Sequence, residues 1–229
     1  MCGSRSTPLR CCSIRETDAV AATTAEIEKG ARVLGKRDRA LARMLSTHGV
    51  PDLRRGRPRR PHFAELCRMI CYQQLAGRAA AAIHGRFEAL FDGPPTPAAV
   101  LKLPVEQMRG AGLSAAKTAS IRDLAEKTDA GLVKLDRVAR LPDEELVREL
   151  VLVRGIGEWT AQMFLMFQLG RLDVWPVLDL GVRVGYSRIY ALEAPLTPKL
   201  LDAEGDRFRP YRSLVAWYCW RAADTVTPD

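Results

Sequence analysis

Apolar residues recur at helical spacing along most of this chain, and this periodicity is what most limits its fold. Ile27, Leu34, Leu41 and Leu45, for example, follow one another at intervals that place them on one helix face. Strand signals are almost absent, because no alternating apolar stretches are joined by Asn-Gly or Asp-Gly, and no repeat of 20 to 50 residues occurs. The sequence therefore predicts an all-α fold built from many short helices.

Several helix boundaries can be read from residue types. Thr96 is a candidate N-cap with Pro97 in the first turn of its helix. Ser114 is a candidate N-cap for a helix that ends before Gly131, where a C-terminal glycine is favoured. Gly77 marks a break in a long, Ala-rich helical stretch. These signals predict where the short helices begin and end.

Composition narrows the class of protein. The chain has 229 residues, is 47% hydrophobic and carries a net charge of +8, so it can bury a core and favours a polyanionic partner. It has no run of 18 apolar residues and no secretory signal at its start, which predicts an intracellular protein without a membrane span. The densest basic segment, "LRRGRPRRPHF" at 53–63, is either a solvated linker or a loop that touches phosphates.

The six cysteines do not form a recognisable metal-binding pattern. Three lie in the first 12 residues, while Cys67 and Cys71 lie four apart in an apolar helical stretch, and Cys219 lies in another. This spacing predicts core packing of reduced thiols, as expected in a cytosol-like compartment.

The stretch "VRGIGEWTAQMF" places Gly155 and Gly157 between two amphipathic helical segments. A helix N-terminus has unpaired backbone N–H groups and partial positive charge, so glycines there allow an anion to approach the main chain. The same two glycines could also serve only to make a tight turn between helices. The turn alone does not separate a phosphate-binding role from a steric one.

The wider pattern resembles a known family. "LVLVRGIGEWTAQMF", followed by "LDVWPVLDLGVRVGYSRIY", is similar to the hairpin and aspartate of the helix-hairpin-helix DNA glycosylase superfamily. "YQQLAGRAAAAI", "GLSAAKTASIRDLA" and "PYRSLVAWYCWRAAD" resemble, in the same order, segments of its 3-methyladenine glycosylase II (AlkA-like) branch. The similarity runs over residues 25–224.

This resemblance implies a two-lobed helical fold with the active cleft between the lobes. We expect a disordered leader at 1–24, a first lobe formed by 25–63 and 173–229, and a second lobe at 64–172 that carries the hairpin. We expect no counterpart of the extra N-terminal β domain of AlkA, for which these 229 residues leave no room.

The resemblance also assigns chemistry to three residues. Asp179 matches the catalytic carboxylate of the family, although an aspartate before "LGV" is in isolation best explained as a helix N-cap. Trp159 and Trp220 match aromatic positions around the flipped base, and Trp220 can equally be read as core. Bifunctional relatives carry a lysine nucleophile where this chain has Trp159, so the resemblance implies a monofunctional enzyme.

A wedge and the hairpin glycines are expected to contact DNA. Leu75 matches the wedge that fills the gap left by the flipped base, with Gln73 and Gln74 beside it, although periodicity alone would place this leucine in the core. Gly155 and Gly157 are expected to bind backbone phosphate.

A monovalent cation is also implied in the hairpin, bound by the main-chain carbonyls of Val151, Val153 and Ile156. Arg154 departs from the proline usual at that position, which carbonyl ligation does not require. No iron–sulfur cluster is expected, because Cys219 alone lies in the region where some relatives place four cysteines.

These features predict a base-excision repair enzyme that hydrolyses the glycosidic bond of alkylated purines flipped out of duplex DNA. It would act as a monomer, without a catalytic cofactor, in the cytoplasm at the nucleoid or in a nucleus. Two alternatives remain open. One is a hairpin module that grips DNA without catalysis, and the other is a bifunctional glycosylase and lyase.

Overall fold

The computed structural model describes residues 22–53 and 60–224, and these residues form helices and no strand. The first seven helices are α1 (Thr24–Arg37), α2 (Arg39–His48), α3 (His62–Tyr72), α4 (Gly77–Glu88), α5 (Pro97–Lys102), α6 (Val105–Gly110) and α7 (Ala115–Asp129). The later ones are α8 (Asp143–Leu150), α9 (Glu158–Met163), α10 (Leu180–Ile189), α11 (Pro198–Gly205) and α12 (Arg212–Ala222). A π-helical turn, Phe164–Gln168, directly continues α9, and a 3₁₀ turn, Asp206–Phe208, follows α11.

The predicted helix boundaries are confirmed where caps mark them. The side chain of Thr96 accepts a hydrogen bond from the Ala99 amide at the start of α5, and Ser114 caps α7 in the same way. Gly131, just beyond α7, has a φ of 70°. The long stretch is broken by the turn at residues 73–76, and α4 begins at Gly77.

The start of the fold lies slightly earlier than predicted. Thr23 caps α1 through a reciprocal pair of hydrogen bonds with Glu26, so the last residues of the predicted leader belong to the first helix. The rest of the leader, 1–21, lies outside the described residues, as do 54–59 of the basic segment and 225–229.

Helices from the two ends of the chain pack together. Helix α10 packs along α12, both contact α2, and α1 packs against α2 and α12. Between these ends, α3 packs against α4 and α7, α7 contacts α5 and α6, and α8 packs against α9. This order of contacts places the later part of the chain beside its beginning, and the exact lobe bounds stay a prediction.

One close approach fixes the position of α10. A Cβ atom added to Gly185 would lie 1.8 Å from the carbonyl oxygen of Cys219 in α12, so only glycine lets the two helices meet here. Any larger residue would push α10 away from α12. The contact therefore determines where the N-terminus of α10 lies relative to the side chains of α12.

The cysteines pack as the spacing predicted. Cys67, Cys71 and Cys219 are fully buried. Burial raises the pKa of the Cys71 thiol to about 12 and raises those of Cys67 and Cys219 as well, so all three are neutral at physiological pH.

Of the helices formed by residues 22–53 and 60–224, none combines the length and the apolar composition that crossing a bilayer requires.

Candidate active site

Asp179 stands at the N-terminus of α10 and accepts three hydrogen bonds. Its Oδ1 atom accepts from the amide of Val182 at 2.8 Å, which makes Asp179 the N-cap of the helix. Oδ1 also accepts from the indole nitrogen of Trp220 at 3.0 Å, and Oδ2 accepts from that of Trp159 at 2.7 Å. Capping and the predicted catalytic role are therefore compatible, because the cap uses only one oxygen of the carboxylate.

These contacts leave Asp179 with spare acceptor capacity. A carboxylate oxygen offers two lone pairs, and Oδ2 uses one of them for Trp159. The side chain is half-buried. The site thus holds a negative charge in a fixed orientation, with one lone pair of Oδ2 available to a ligand or water.

Trp159 is the exposed member of this group. It lies in the first turn of α9, two residues after Gly157, and is 38% exposed. Its ring nitrogen is engaged by Asp179, so the remaining ring surface can stack on a planar group. The structure thus places an accessible aromatic ring in direct contact with the carboxylate.

Trp220 approaches the same carboxylate from the core. It is 1% exposed, and its ring centroid lies 5.9 Å from that of Phe167 in the π-helical turn. A π-turn shifts the register of the side chains after it, and such turns are frequent at functional sites. In the described structure the edge of Trp220 meets Asp179, while its faces are covered by other side chains.

Two exposed leucines flank Asp179 in the chain. Leu178 and Leu180, its neighbours in the chain, are 58% and 63% exposed and are among the most exposed large apolar side chains of the described residues. Apolar side chains next to a carboxylate lower the local dielectric constant when a ligand covers them, which strengthens the interactions of the carboxylate.

The two hairpin glycines differ in what surrounds them. Gly155 has a φ of 76°, and a Cβ atom added to it would lie 2.5 Å from the hydroxyl oxygen of Ser120 in α7. Gly157 is the N-cap of α9 with an ordinary extended backbone, and an added Cβ would meet nothing within 4 Å. Gly155 is thus required by the fold itself, whereas the surroundings of Gly157 within the protein would accept a side chain.

Asp123, which the sequence reading did not single out, anchors the hairpin. Its Oδ2 atom accepts a hydrogen bond from the Arg154 amide at 2.7 Å, and its Oδ1 atom pairs with Lys127. Burial acts to raise the pKa of this carboxyl, but the hydrogen bonds from Lys127 and Arg154 outweigh it and leave the pKa below its ordinary value. Asp123 is therefore charged at neutral pH and holds the main chain beside Gly155.

The three carbonyls predicted to bind a cation lie in the same turn. The carbonyl of Val153 accepts a hydrogen bond from the Ile156 amide at 3.0 Å. Among the hydrogen bonds within the described part of the chain, none ends on the carbonyls of Val151 or Ile156. Free carbonyl oxygens of this kind suit a hard cation.

The predicted wedge lies at the surface. Leu75 is 40% exposed in the turn between α3 and α4, and Gln74 before it has a φ of 56°, unusual for a residue with a side chain. Gln73, the other glutamine expected beside the wedge, donates from its side-chain nitrogen to the Gly155 carbonyl at 2.9 Å. Helical periodicity alone predicts a buried Leu75. The residue is exposed because it lies in the turn between α3 and α4 and not in a helix.

Comparison with known proteins agrees with this architecture. The chain matches the family described as HhH-GPD superfamily base excision DNA repair protein over residues 67–210. It is 37% identical over 164 residues to DNA-3-methyladenine glycosylase 1 of Schizosaccharomyces pombe, covering 70% of this chain and 72% of the relative. It is 29% identical to a putative DNA-3-methyladenine glycosylase of Bacillus subtilis, covering 69% of this chain and 58% of that one.

Solved structures show the same fold. The S. pombe 3-methyladenine DNA glycosylase bound to abasic DNA superimposes with a TM-score of 0.72 at 34% identity, covering 84% of this chain and 95% of that one. The DNA-3-methyladenine glycosidase of Bacillus halodurans gives a TM-score of 0.77 at 33% identity, covering 86% and 89%. The predicted all-α glycosylase fold is confirmed. The chain belongs to the HhH-GPD superfamily of base excision DNA repair proteins.

Proposed function

We propose that this protein is a monofunctional DNA N-glycosylase that hydrolyses the bond between deoxyribose and an alkylated purine in duplex DNA. The observation that carries the proposal is the pairing of the Asp179 carboxylate with the exposed indole of Trp159 at 2.7 Å. This pairing places a fixed negative charge beside an aromatic surface, as excision of a flipped, cationic base requires. The 3-methyladenine glycosylases among its relatives support the same assignment.

The carboxylate acts on the sugar. When the bond between C1′ and the base nitrogen breaks, its electron pair leaves with the base and the deoxyribose becomes an oxocarbenium-like cation. Asp179 stabilises this cation electrostatically and orients the water that adds to C1′, whose proton is then released. The alkylated base leaves as a neutral molecule, because the electron pair cancels the positive charge brought by its methyl group.

Trp159 selects the base. Purines alkylated at N3 or N7 are cationic, and an indole face attracts a stacked cation by about 0.5 to 2 kcal/mol. The indole also offers no amine, so it cannot form the Schiff base of a lyase. Trp159 therefore favours charged lesions and hydrolysis without strand cleavage.

Trp220 supports the pocket from the core. Its indole N–H donates to Oδ1 of Asp179, the oxygen that Trp159 does not contact. The burial of Trp220 keeps this hydrogen bond away from solvent. In this role Trp220 acts on the base through the carboxylate, while Trp159 contacts the base directly.

DNA is the partner in this proposal. The net charge of +8 favours a polyanion, and the S. pombe relative was solved with abasic DNA. The open space around Gly157 leaves the backbone of the hairpin accessible to a phosphate. A monovalent cation held by the carbonyls of Val151, Val153 and Ile156 would add positive charge there. One monomer supplies all of these groups.

The base wedge is the remaining part of the proposal. Leu75, exposed beside Gln74, enters the stack from which the target base has been extruded. Extruding a base costs a few kcal/mol, and an apolar side chain in the gap replaces part of the lost stacking.

Release of free base from methylated DNA tests the proposal. Wild-type protein should release 3-methyladenine under single-turnover conditions, and Asp179→Asn should lose about 100- to 1000-fold in rate, because it removes the charge that stabilises the transition state. Asp179→Asn should still bind the lesion. Release within threefold of wild type would overturn the assignment of Asp179, and binding without any release by wild type would favour the non-catalytic module.

The same assay separates the lyase alternative. A monofunctional enzyme leaves the DNA strand intact, and borohydride traps no covalent complex with it. Strand cleavage together with a borohydride-trapped complex would show that an amine elsewhere in the chain acts as a nucleophile.

A further inference from the structure

We propose that Gln73 is a positioning residue that couples the DNA-binding hairpin to the base wedge. This inference rests on the proposed function, because it assigns a task within base extrusion. It starts from a contact between two turns that are far apart in the sequence. The side-chain nitrogen of Gln73 donates to the carbonyl of Gly155 at 2.9 Å and lies 3.4 Å from the hydroxyl of Thr160.

The first partner of Gln73 belongs to the most constrained point of the hairpin. Gly155 has a positive φ and no room for a Cβ atom beside Ser120, and Asp123 binds the neighbouring Arg154 amide. A carbonyl in such a turn cannot move without disturbing helix α7. Gln73 is therefore tied to a rigid part of the protein.

The turn that follows Gln73 is only weakly held by hydrogen bonds among the described residues. Gln73 is the C-cap of α3, and the turn that follows exposes Gln74, Leu75 and Ala76 to solvent. Within this turn the Leu75 amide donates to the Tyr72 carbonyl at a long 3.4 Å. In the described part of the chain, Gln73 provides the side-chain hydrogen bond that joins residues 73–76 to another element.

The chemistry of the contact requires a donor. A backbone carbonyl can only accept, so the amide nitrogen of Gln73 must face Gly155. A glutamine reaches this carbonyl with a neutral N–H, whereas a glutamate of the same shape would place an oxygen against an oxygen.

The backbone at Gln74 is in the left-handed region, a conformation that costs energy and persists only where the surrounding structure holds it.

These contacts predict how the coupling works. A phosphate bound at the hairpin sets the distance between Gly155 and the DNA backbone, and through Gln73 this also sets the height of Leu75 above the DNA. The wedge can then enter the base stack at a set distance from the gripped strand. Loss of the Gln73 contact should leave the grip intact and make wedge insertion less frequent.

Gln73→Met tests this inference, because methionine keeps the length of the side chain and removes the donor. The matched control is Gln162→Met, the same change on α9, where the amide contacts Glu158 at 3.0 Å. Extrusion is followed by the fluorescence of 2-aminopurine placed beside the lesion. Binding to undamaged duplex and thermal unfolding are measured in parallel.

We expect Gln73→Met to slow extrusion and excision from fully paired DNA by about three- to tenfold, the usual effect of one lost hydrogen bond. Its affinity for undamaged duplex should stay within about twofold of wild type, and Gln162→Met should match wild type throughout. The defect should shrink when the lesion lies opposite an abasic site or in single-stranded DNA, where less extrusion is needed.

Two results would overturn the inference. One is an equal defect on paired and unpaired substrates, which would place Gln73 in chemistry or folding. The other is a Gln73→Met protein that extrudes and excises like wild type. If instead wild type extrudes 2-aminopurine but releases no base, the proposed function fails while the coupling is still tested by fluorescence.

Discussion

The indole nitrogen of Trp159 lies 2.7 Å from Oδ2 of Asp179, so the exposed ring and the carboxylate form one unit. A base stacked on this ring would therefore have its glycosidic bond close to the negative charge. The contact gives Trp159 two separable properties, an aromatic face and an N–H group. The N–H group can be removed while an aromatic face is kept.

Trp159→Phe and Trp159→Ala separate these two properties. Phenylalanine keeps a face for stacking and loses the N–H, so excision should fall by about three- to tenfold for every base. Alanine also loses stacking worth about 1 to 3 kcal/mol, so excision should fall by roughly a further 5- to 150-fold relative to Trp159→Phe. Single-turnover release of 7-methylguanine and hypoxanthine measures the loss in each of the two variants.

The comparison between bases decides the role of the ring. The additional loss in Trp159→Ala should be greater for cationic 7-methylguanine than for neutral hypoxanthine. Trp217→Phe in α12 controls for the loss of an indole elsewhere in the fold. Equal losses for the two bases would show that Trp159 acts through packing alone.

The hairpin glycines should respond differently to the same substitution. Gly155→Ala introduces a side chain at a φ of 76° and 2.5 Å from Ser120, so it should destabilise the protein by about 1 to 3 kcal/mol. Gly157→Ala meets nothing within 4 Å and should fold like wild type. Gly157→Ala and Gly157→Val should nevertheless weaken binding to every DNA sequence alike, because phosphate contacts carry no base information.

Denaturant unfolding measures the stability loss predicted for Gly155→Ala, and salt-dependent DNA binding measures the affinity loss predicted for the Gly157 variants. Adding Ser120→Ala to Gly155→Ala should restore part of the lost stability, since it removes the closest atom but leaves the backbone strain. Unchanged DNA affinity in a folded Gly157→Val protein would exclude the hairpin as the DNA grip.

The sequence predicted those features that local chemistry determines. Caps at Thr96 and Ser114 follow from side-chain oxygens beside a helix start. The local residues around Asp179 indicate a helix cap as well, and its catalytic role was predicted from the family resemblance. The contact of Gln73 with Gly155 joins residues 82 positions apart, and no local pattern signals it. Asp123 was hidden for the same reason, because an aspartate within a helix resembles any solvated side chain until its tertiary partner is known.

Leu75→Ala should impair excision with little effect on stability. The side chain is 40% exposed, so its truncation removes little buried surface, whereas the wedge it supplies offsets part of an extrusion cost of a few kcal/mol. We expect excision from paired DNA to fall by about 10- to 100-fold and excision from single-stranded DNA to change little. Leu132→Ala, at another exposed leucine, is the control. An equal loss on both substrates would assign Leu75 to the pocket instead.

The final prediction concerns pH and Asp123, whose hydrogen bonds to Lys127 and the Arg154 amide keep its pKa low despite burial. A carboxyl with a lower pKa in the folded state than in the unfolded state stabilises the protein above its ordinary pKa of about 3.9. This contribution is lost as the pH falls through the lower, folded-state pKa. Asp123→Asn should therefore cost about 1 kcal/mol at neutral pH, a modest value because the side chain is 23% exposed.

Unfolding by urea at a series of pH values from about 7 to about 3 tests this. The stability difference between wild type and Asp123→Asn should be constant above about pH 5 and shrink below the ordinary pKa. Asp129→Asn, at an exposed position at the end of the same helix, is the control. Since Asp123 holds the amide of Arg154, Asp123→Asn should also weaken DNA binding at neutral pH. A stability difference that stays constant down to pH 3 would show that the charge of Asp123 does not anchor the hairpin.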